Sequence, residues 1–182
     1  MRSAKHLLYF ALQPPPEAAA QALAVAEDAR RRYNLSGKPS AAGRLHVSLI
    51  NIGEFKRPPG PVVNKAIEAA QPASTRPFRV EFNRVGTWPA GDPPRPIVLW
   101  GDEGVIGVHA LHAVLHKALM RFDMVPRRPL PLEPHMTLLY DTTHVDETLI
   151  PPVGWQVREF VLIHAVHGEG RHDVVARFPL SG

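Results

Sequence analysis

The stretch Leu45-His46-Val47-Ser48-Leu49 has a near copy later in the same chain, Pro134-His135-Met136-Thr137-Leu138. Each copy places a histidine, an apolar residue, a small hydroxyl residue and a leucine in the same order. The two histidines are 135 minus 46, or 89, positions apart, about half of the 182-residue chain. The repetition predicts two similar halves, each of which contributes one histidine and one hydroxyl group to a shared cleft.

The first copy is predicted to be a β-strand, because residues 44–52 are largely apolar and β-branched and lie between two glycines. Side chains alternate across a strand. His46 and Ser48 therefore point to one face, whereas Val47 and Leu49 point to the other. We expect the two apolar side chains to anchor the strand to the core and to leave the histidine and the serine free.

The second copy lies in a predicted strand at residues 135–140, in which His135 and Thr137 again share a face while Met136 and Leu138 anchor the strand. Residues 124–134, directly before it, hold four prolines and two arginines and predict an extended loop.

The remaining pattern predicts an α+β fold. Predicted strands lie at residues 6–12, 78–85, 97–100, 156–165 and 173–178, and predicted helices at residues 17–33, 61–70 and 105–122. The last helix carries an apolar stripe of Val108, Leu111, Leu115 and Leu119. The resulting order is β-α-β-α-β-β-α-β-β-β.

Composition narrows the classes of protein. A chain of 182 residues with 45% hydrophobic residues is expected to form one domain, residues 1–182, with its own core. The absence of cysteine excludes disulfides, thiolate catalysis and cysteine-based zinc sites. The net charge of +4, with a pI of about 9.8, favours partners that carry phosphate.

The beginning of the chain only weakly resembles a secretory signal. The residues Met1-Arg2-Ser3-Ala4-Lys5 precede an apolar run at residues 7–12 that is short and is closed by three prolines. No stretch approaches the roughly 18 apolar residues of a membrane span. We therefore expect a cytoplasmic protein without a membrane segment, and a monomer.

Two histidines in one cleft can act as acid and base in the same turnover, since imidazole titrates near neutral pH. The hydroxyls of Ser48 and Thr137 can donate hydrogen bonds to anionic oxygens. This set suits in-line attack on a phosphodiester without a metal or other cofactor. Each histidine alone is more often a structural residue, and the same cleft would also serve a non-catalytic nucleotide- or RNA-binding module.

The chain resembles the two-histidine (2H) phosphoesterase superfamily almost from end to end. It is most similar to the bacterial RNA 2′,3′-cyclic phosphodiesterase branch, historically called 2′-5′ RNA ligase (LigT-like). The similar segments are Leu8-Tyr9-Phe10-Ala11-Leu12, His46-Val47-Ser48-Leu49-Ile50-Asn51-Ile52-Gly53, Pro134-His135-Met136-Thr137-Leu138, Phe160-Val161-Leu162 and Phe178-Pro179-Leu180.

This resemblance implies a bilobal, pseudo-twofold fold, with two small antiparallel sheets and flanking helices around a central cleft. It also implies an RNA 2′,3′-cyclic 3′-phosphodiesterase that acts on RNA ends or cyclic nucleotides and can join RNA ends in the reverse direction. By analogy His46 would protonate the leaving 3′ oxygen and His135 would activate water, while Ser48 and Thr137 would bind the phosphate. The analogy implies a 2′-phosphate as the product.

Two positions depart from the family pattern. Ser48 stands where threonine is commoner and keeps the hydroxyl group. Tyr140 stands three residues after Thr137, where the family often has a phosphate-binding arginine. Arg127 and Arg128, on the loop before the second motif, are candidates to supply the missing positive charge.

Three further histidines, His109, His112 and His116, have helical spacing. No cysteine or carboxylate pattern accompanies them, so we interpret them as surface or interface residues and predict no metal site. Tyr140 is an aromatic residue that would be able to stack on a base if it lies near the cleft.

Overall fold

Eight strands and three α-helices are formed by the residues that the computed structural model describes, 5–89 and 91–181. The strands are β1 (Lys5–Leu12), β2 (Val47–Phe55), β3 (Phe78–Thr87), β4 (Arg95–Trp100), β5 (His135–Asp141), β6 (Thr148–Val157), β7 (Glu159–His167) and β8 (Arg171–Pro179). The helices are α1 (Pro16–Tyr33), α2 (Gly60–Ala70) and α3 (Ile106–Met120). This content confirms the predicted α+β class.

The strands form one antiparallel sheet in the order β6-β3-β4-β5-β2-β1-β7-β8. The two motif strands, β2 and β5, are neighbours at its centre, where a single residue pair, Val47 with Met136, joins them. The prediction of two small sheets therefore needs correction, because this pair connects two four-stranded groups into one continuous sheet.

The two groups have the same order outward from this junction. On one side β2 is followed by β1, β7 and β8, and on the other side β5 is followed by β4, β3 and β6. In each group, a strand, a helix and a motif strand are consecutive in the chain: β1-α1-β2 and β4-α3-β5. The groups are not the two halves of the sequence, however, since β7 and β8 come from the end of the chain and lie beside β1.

One face of the sheet is covered by helices. Buried residues of all three helices share one apolar core with the sheet residues Leu8, Phe10, Val47 and Met136. The helical contribution consists of Ala18, Ala19, Ala22, Ala26, Ala29, Ala66, Ala69, Ala70, Val108, Leu111, Leu115, Ala118 and Leu119. Small alanine side chains let α1 lie close to the sheet, and burial of the four large residues of α3 confirms its predicted apolar stripe.

The predicted helices are confirmed with small changes at their ends. Helix α1 begins at Pro16, where the missing N–H of proline would have had no partner within the helix, and ends at Asn34 in the left-handed conformation (φ 51°). Residues 124–134 contain no helix or strand, as predicted.

The sequence prediction missed strand β6 and instead placed one strand at residues 156–165. The structure divides that stretch at Arg158, between the end of β6 and the start of β7. Strand β6 contains Pro151 and Pro152, which argue against a strand in the middle of a sheet. It lies at the edge of the sheet, where proline is tolerated because one side of the strand needs no hydrogen bonds.

Residues 1–4, which begin the segment compared above with a signal peptide, lie outside the described residues. The apolar run that follows them forms strand β1. Among the described helices, none combines the length and the apolar character needed to cross a membrane.

Candidate active site

The two motif histidines are held in the same way. The Nδ1–H of His46 donates to the carbonyl oxygen of Arg44 at 2.7 Å, and the Nδ1–H of His135 donates to the carbonyl oxygen of Glu133 at 2.8 Å. Each carbonyl lies two residues before its histidine. Because a carbonyl oxygen only accepts, the proton of the neutral ring is on Nδ1, and Nε2 is left free for chemistry.

The strand register brings the four motif residues together on one face. Val47 and Met136 are fully buried on the opposite face and are paired across the junction. Continuing this antiparallel register places His46 opposite Thr137 and Ser48 opposite His135. Each histidine thus faces the hydroxyl residue of the other strand.

The two histidines lie on a diagonal of this arrangement. Diagonal neighbours in an antiparallel pair are about 7–8 Å apart, which leaves room for one phosphate group between the imidazoles. The positive charge of His135 also helps to lower the pKa of His46, as expected for rings that share one cleft. Among the described residues, the hydroxyls of Ser48 and Thr137 have no protein hydrogen-bond partner, so both can bind a ligand.

A β-bulge follows each hydroxyl residue. In β2 the register shifts so that Leu49 has no partner in β1, and in β5 the matching shift leaves Leu138 without a partner in β4. Each bulge puts two consecutive apolar residues into the core and returns the next residue to the open face. The returned residues are Asn51 and Tyr140, both of which are exposed.

Tyr140 therefore lies on the same open face of the sheet as the motif residues, and its counterpart in β2 is Asn51. Strict alternation along the sequence would have placed Tyr140, three residues after Thr137, on the core face. The residue pattern did not reveal the bulge, although two adjacent apolar residues after each hydroxyl were a visible signal.

Tyr9, Arg44 and His172 surround His46, and the sequence prediction had given none of them a role in the site. The rings of Tyr9 and His172 lie 5.1 Å and 5.9 Å from the ring of His46. Nε2 of His172 is 3.5 Å from Nη2 of Arg44, and Nδ1 of His172 is 3.0 Å from the Tyr9 hydroxyl. Since guanidinium only donates, Nε2 accepts from Arg44 and the Nδ1–H donates to Tyr9.

Burial and positive charge shift the protonation of this group. Burial, the positive charge of His135 and that of Arg44 lower the pKa of His46, and its hydrogen bond to the Arg44 carbonyl offsets part of this effect. Burial, Arg44 and His46 likewise lower the pKa of His172. Burial raises the pKa of Tyr9 to about 12, so its hydroxyl stays protonated at neutral pH. The free protein therefore favours neutral histidines beside one permanent cation.

Arg44 is exposed, in a short 3₁₀ helix (Ala42–Arg44) just before β2. Within residues 5–89 and 91–181, its guanidinium has no carboxylate within 4 Å. It also lines a pocket of about 270 Å³ with His167 and His172, and none of the described residues in the wall of this pocket is acidic. This side of the cleft suits an anion.

The surroundings of His135 are aromatic. The ring of Trp88 stacks on His135 with centroids 4.5 Å apart and planes 23° apart, and Trp100 contacts Trp88 edge to face. Trp100 is also the partner of His135 in the β4–β5 register. These two tryptophans are only half-buried and line a cavity next to His135.

Arg127 and Arg128 are exposed on the loop before β5. That loop packs beside the second part of β2, where Val125, Pro126 and Leu132 line a small pocket with Asn51. Among the described residues, neither arginine has a hydrogen bond or an ion pair, and no contact joins them to the motif histidines. The cation that the structure brings to His46 is Arg44.

Among the described residues, none of the three histidines of α3 makes a hydrogen bond or a ring contact with a motif residue. His112 and His116 have ring centroids 6.3 Å apart, and His116 is buried. In the described part of the chain, no group of three His, Cys, Asp or Glu side chains is arranged to hold a metal ion.

Two opposed histidines, each facing a hydroxyl residue of the neighbouring strand on an antiparallel α+β sheet, define the class of two-histidine phosphoesterases. A family model described as "2′-5′ RNA ligase superfamily" matches residues 14–169, and the chain belongs to this family. The resemblance seen in the motifs is thereby confirmed. No curated protein matches the sequence.

Solved structures share the fold over nearly the whole chain. Apo E. coli LigT has 24% identity and a TM-score of 0.74, over 99% of this chain and 100% of that chain. TT0787 of Thermus thermophilus has 22% identity and a TM-score of 0.71, over 97% and 98% of the two chains. Kluyveromyces marxianus Usb1, solved with uridine monophosphate, has 11% identity and a TM-score of 0.53, over 98% and 99%.

Proposed function

We propose that this protein is a metal-independent phosphodiesterase that opens the 2′,3′-cyclic phosphate ends of RNA or nucleotides to a 2′-phosphate. The observation that carries the proposal is the matched pair of Nδ1–carbonyl hydrogen bonds of His46 and His135. They leave two Nε2 atoms on one open face, so one ring can take a proton while the other gives one.

In the proposed reaction, water attacks the phosphorus opposite the 3′ oxygen. Nε2 of His135 takes the proton of the water as the new P–O bond forms. The P–O3′ bond breaks, and the departing 3′ oxygen receives the proton of His46 Nε2. The product keeps its phosphate on the 2′ oxygen. Ser48 and Thr137 donate hydrogen bonds to the non-bridging oxygens during this exchange.

The acid role of His46 requires that bound phosphate raise its pKa, which the free protein holds below the ordinary value. A phosphate anion between the rings does this, since it favours the protonated form. We propose that Arg44 supplies the charge missing at Tyr140. Tyr140, Arg127 and Arg128 remain candidates for contacts with the RNA chain.

Relatives support a nucleotide as the ligand. E. coli LigT has been solved with 3′-AMP, with ATP, with NADP⁺ and with phosphate. A 5′ hydroxyl of a second RNA end can take the place of the attacking water, with the same base removing its proton and the same acid protonating the departing 3′ oxygen. Joining of RNA ends through a 2′-5′ linkage therefore belongs to the same proposal. We also propose that residues 1–182 form a single domain of two pseudo-symmetric lobes around the cleft, and that the protein is monomeric and cytoplasmic.

The decisive experiment incubates the purified protein with 2′,3′-cyclic nucleotides and with RNA that ends in a cyclic phosphate, and identifies the phosphate isomer formed. We expect the 2′-phosphate, unchanged rates in EDTA, and losses of roughly 10²- to 10⁴-fold in His46→Ala and in His135→Ala. His6→Ala is the matched control, because His6 pairs with His164 at 2.9 Å instead of with the motif residues.

Wild-type rates in both motif variants would exclude this mechanism. Tight binding of a 2′-phosphorylated nucleotide without any turnover of the cyclic phosphate would instead identify a binding module that uses the same cleft.

A further inference from the structure

A cavity of about 610 Å³ lies beside His135, within the size range of small-ligand sites. Trp88 forms part of its wall and is also stacked on the imidazole of His135. Trp100, Val105 and Leu132 add further apolar surface. Trp88 is therefore shared between the wall of the cavity and the surroundings of His135.

The charged groups around this cavity are acidic. Asp102, Glu133 and Glu147 line it, and its histidines, His109 and His144, are its only basic lining residues among those described. This is the opposite of the pocket beside Arg44, where no acidic residue lines the wall in the described part of the chain. A phosphate would be repelled here and attracted to the other side of the cleft.

The three carboxylates are not equivalent. Arg84 pairs with Asp102 at 2.9 Å and also with Glu147, so each of these two carboxylates has an ion-pair partner at the rim of the cavity. Glu133 has no ion-pair partner among the described residues and is exposed. Its backbone carbonyl accepts the hydrogen bond of His135, so Glu133 lies next to that residue in the wall of the cavity. Glu133 is the carboxylate left to accept hydrogen bonds from a ligand.

We propose that this cavity binds the nucleobase of the substrate nucleotide and selects guanine. Aromatic walls favour the flat face of a base, and a base is the uncharged part of a nucleotide. Guanine offers two adjacent N–H donors, on N1 and N2, that one carboxylate can accept together. A ribose separates the base from the 2′,3′-phosphate, in keeping with a base on one side of Trp88 and a phosphate on the other.

This inference rests on the proposed phosphodiesterase function, and the experiment separates the two. It measures kcat/KM for the 2′,3′-cyclic phosphates of guanosine, adenosine, cytidine and uridine. His109→Trp fills the cavity from an exposed position of α3, and Ala110→Trp places the same indole on the next exposed residue, which does not line the cavity. Glu133→Gln removes the free charge and keeps the backbone carbonyl that holds His135.

We expect the wild type to have its highest kcat/KM with the guanosine substrate. Glu133→Gln should lose roughly tenfold or more of kcat/KM for that substrate alone. His109→Trp, but not Ala110→Trp, should lower kcat/KM for all four substrates. Equal kcat/KM for the four bases, or equal effects of the two tryptophan variants, would overturn the nucleobase pocket while leaving the phosphodiesterase intact.

If no cyclic nucleotide is hydrolysed, the phosphodiesterase proposal fails and calorimetric titration with 2′-GMP and 2′-UMP decides the pocket. Tighter binding of 2′-GMP that His109→Trp weakens and Ala110→Trp preserves would support it. Equal binding of the two nucleotides, no binding of either, or equal effects of the two tryptophan variants would overturn it.

Discussion

Arg44 illustrates how a residue next to a motif can have a separate role. Its carbonyl oxygen orients His46, while its guanidinium extends toward His172 and the β7–β8 turn. The backbone function does not depend on the side chain. Substitution of Arg44 therefore tests the guanidinium alone.

We expect Arg44→Gln to raise KM for a cyclic-phosphate substrate by roughly 10- to 100-fold, since a charge-assisted hydrogen bond to phosphate is lost. Arg44→Lys keeps the charge and should recover part of the loss. Steady-state kinetics on both variants measure this. Arg127→Gln and Arg128→Gln are matched controls on the loop before β5, and a larger rise of KM in either than in Arg44→Gln would show that the loop supplies the cation.

The protonation of His46 is a second prediction at this scale. Burial and the charges of His135 and Arg44 hold its pKa below the ordinary 6.5 in the free protein. The neutral form of His46 therefore dominates at pH 7. Bound inorganic phosphate favours the protonated ring, so it should raise the pKa of His46. For the same reason, phosphate should bind less tightly as pH rises. NMR titration of the ring with and without phosphate measures both effects. His135→Gln removes a nearby positive charge and should raise the pKa of His46 even without phosphate. A pKa at or above 6.5 in the phosphate-free wild type would contradict the prediction.

The site residues that lie within the repeats could be predicted from the sequence, whereas those brought in by distant strands could not. His46, Ser48, His135 and Thr137 lie within two short repeats, so alternation along each strand was enough to place them on one face. Tyr9 and His172 reach His46 only because β1 and β8 are brought near β2 by the order of the sheet. No local pattern encodes that order.

At the scale of elements, periodicity predicted helices well and strand boundaries less well. The stripe of α3 and the alanine-rich face of α1 each bury one side of a helix, and burial of one side leaves a regular pattern. A bulge interrupts the two-residue period, so the register after Ser48 and after Thr137 differed from simple alternation. Strand β6 was missed because its two prolines are acceptable only at an edge, and edge position is a property of the whole sheet.

At the scale of the whole molecule, the two four-stranded groups meet at one strand pair, and other contacts must reinforce the junction. Asp141, at the end of β5, accepts hydrogen bonds from the backbone N–H of Gly37 at 2.7 Å and the hydroxyl of Ser36 at 3.3 Å. It also accepts from the N–H of Thr143 at 2.8 Å. Ser40 N–H donates to the carbonyl oxygen of Leu138 in the same region. Asp141 thus ties the connection between α1 and β2 to the other motif strand.

The connection fits tightly against β5. A Cβ atom at Gly37 would lie 2.1 Å from the backbone oxygen of Tyr140, so only glycine allows this approach. The contact holds the backbone of Tyr140 while its side chain stays on the cleft face. The junction and the candidate site are therefore built from the same segment of β5.

These contacts predict how the junction responds to acid. The backbone N–H groups of Thr143 and Gly37 hold the pKa of the buried Asp141 carboxyl at about 2, below its ordinary 3.8. A depressed pKa stabilises the fold above about pH 4, and this stabilisation is lost as pH falls toward 2.

We expect Asp141→Asn to lower the free energy of unfolding by about 1–3 kcal/mol at pH 7, because charge-assisted hydrogen bonds are weakened. Urea titrations between pH 7 and pH 3 should show the difference from wild type narrowing below pH 4. Asp146→Asn, at an exposed position, is the control and should change stability by about 0.5 kcal/mol or less. A pH-independent difference would mean that the shape of the Asp141 side chain, and not its charge, holds the two groups together.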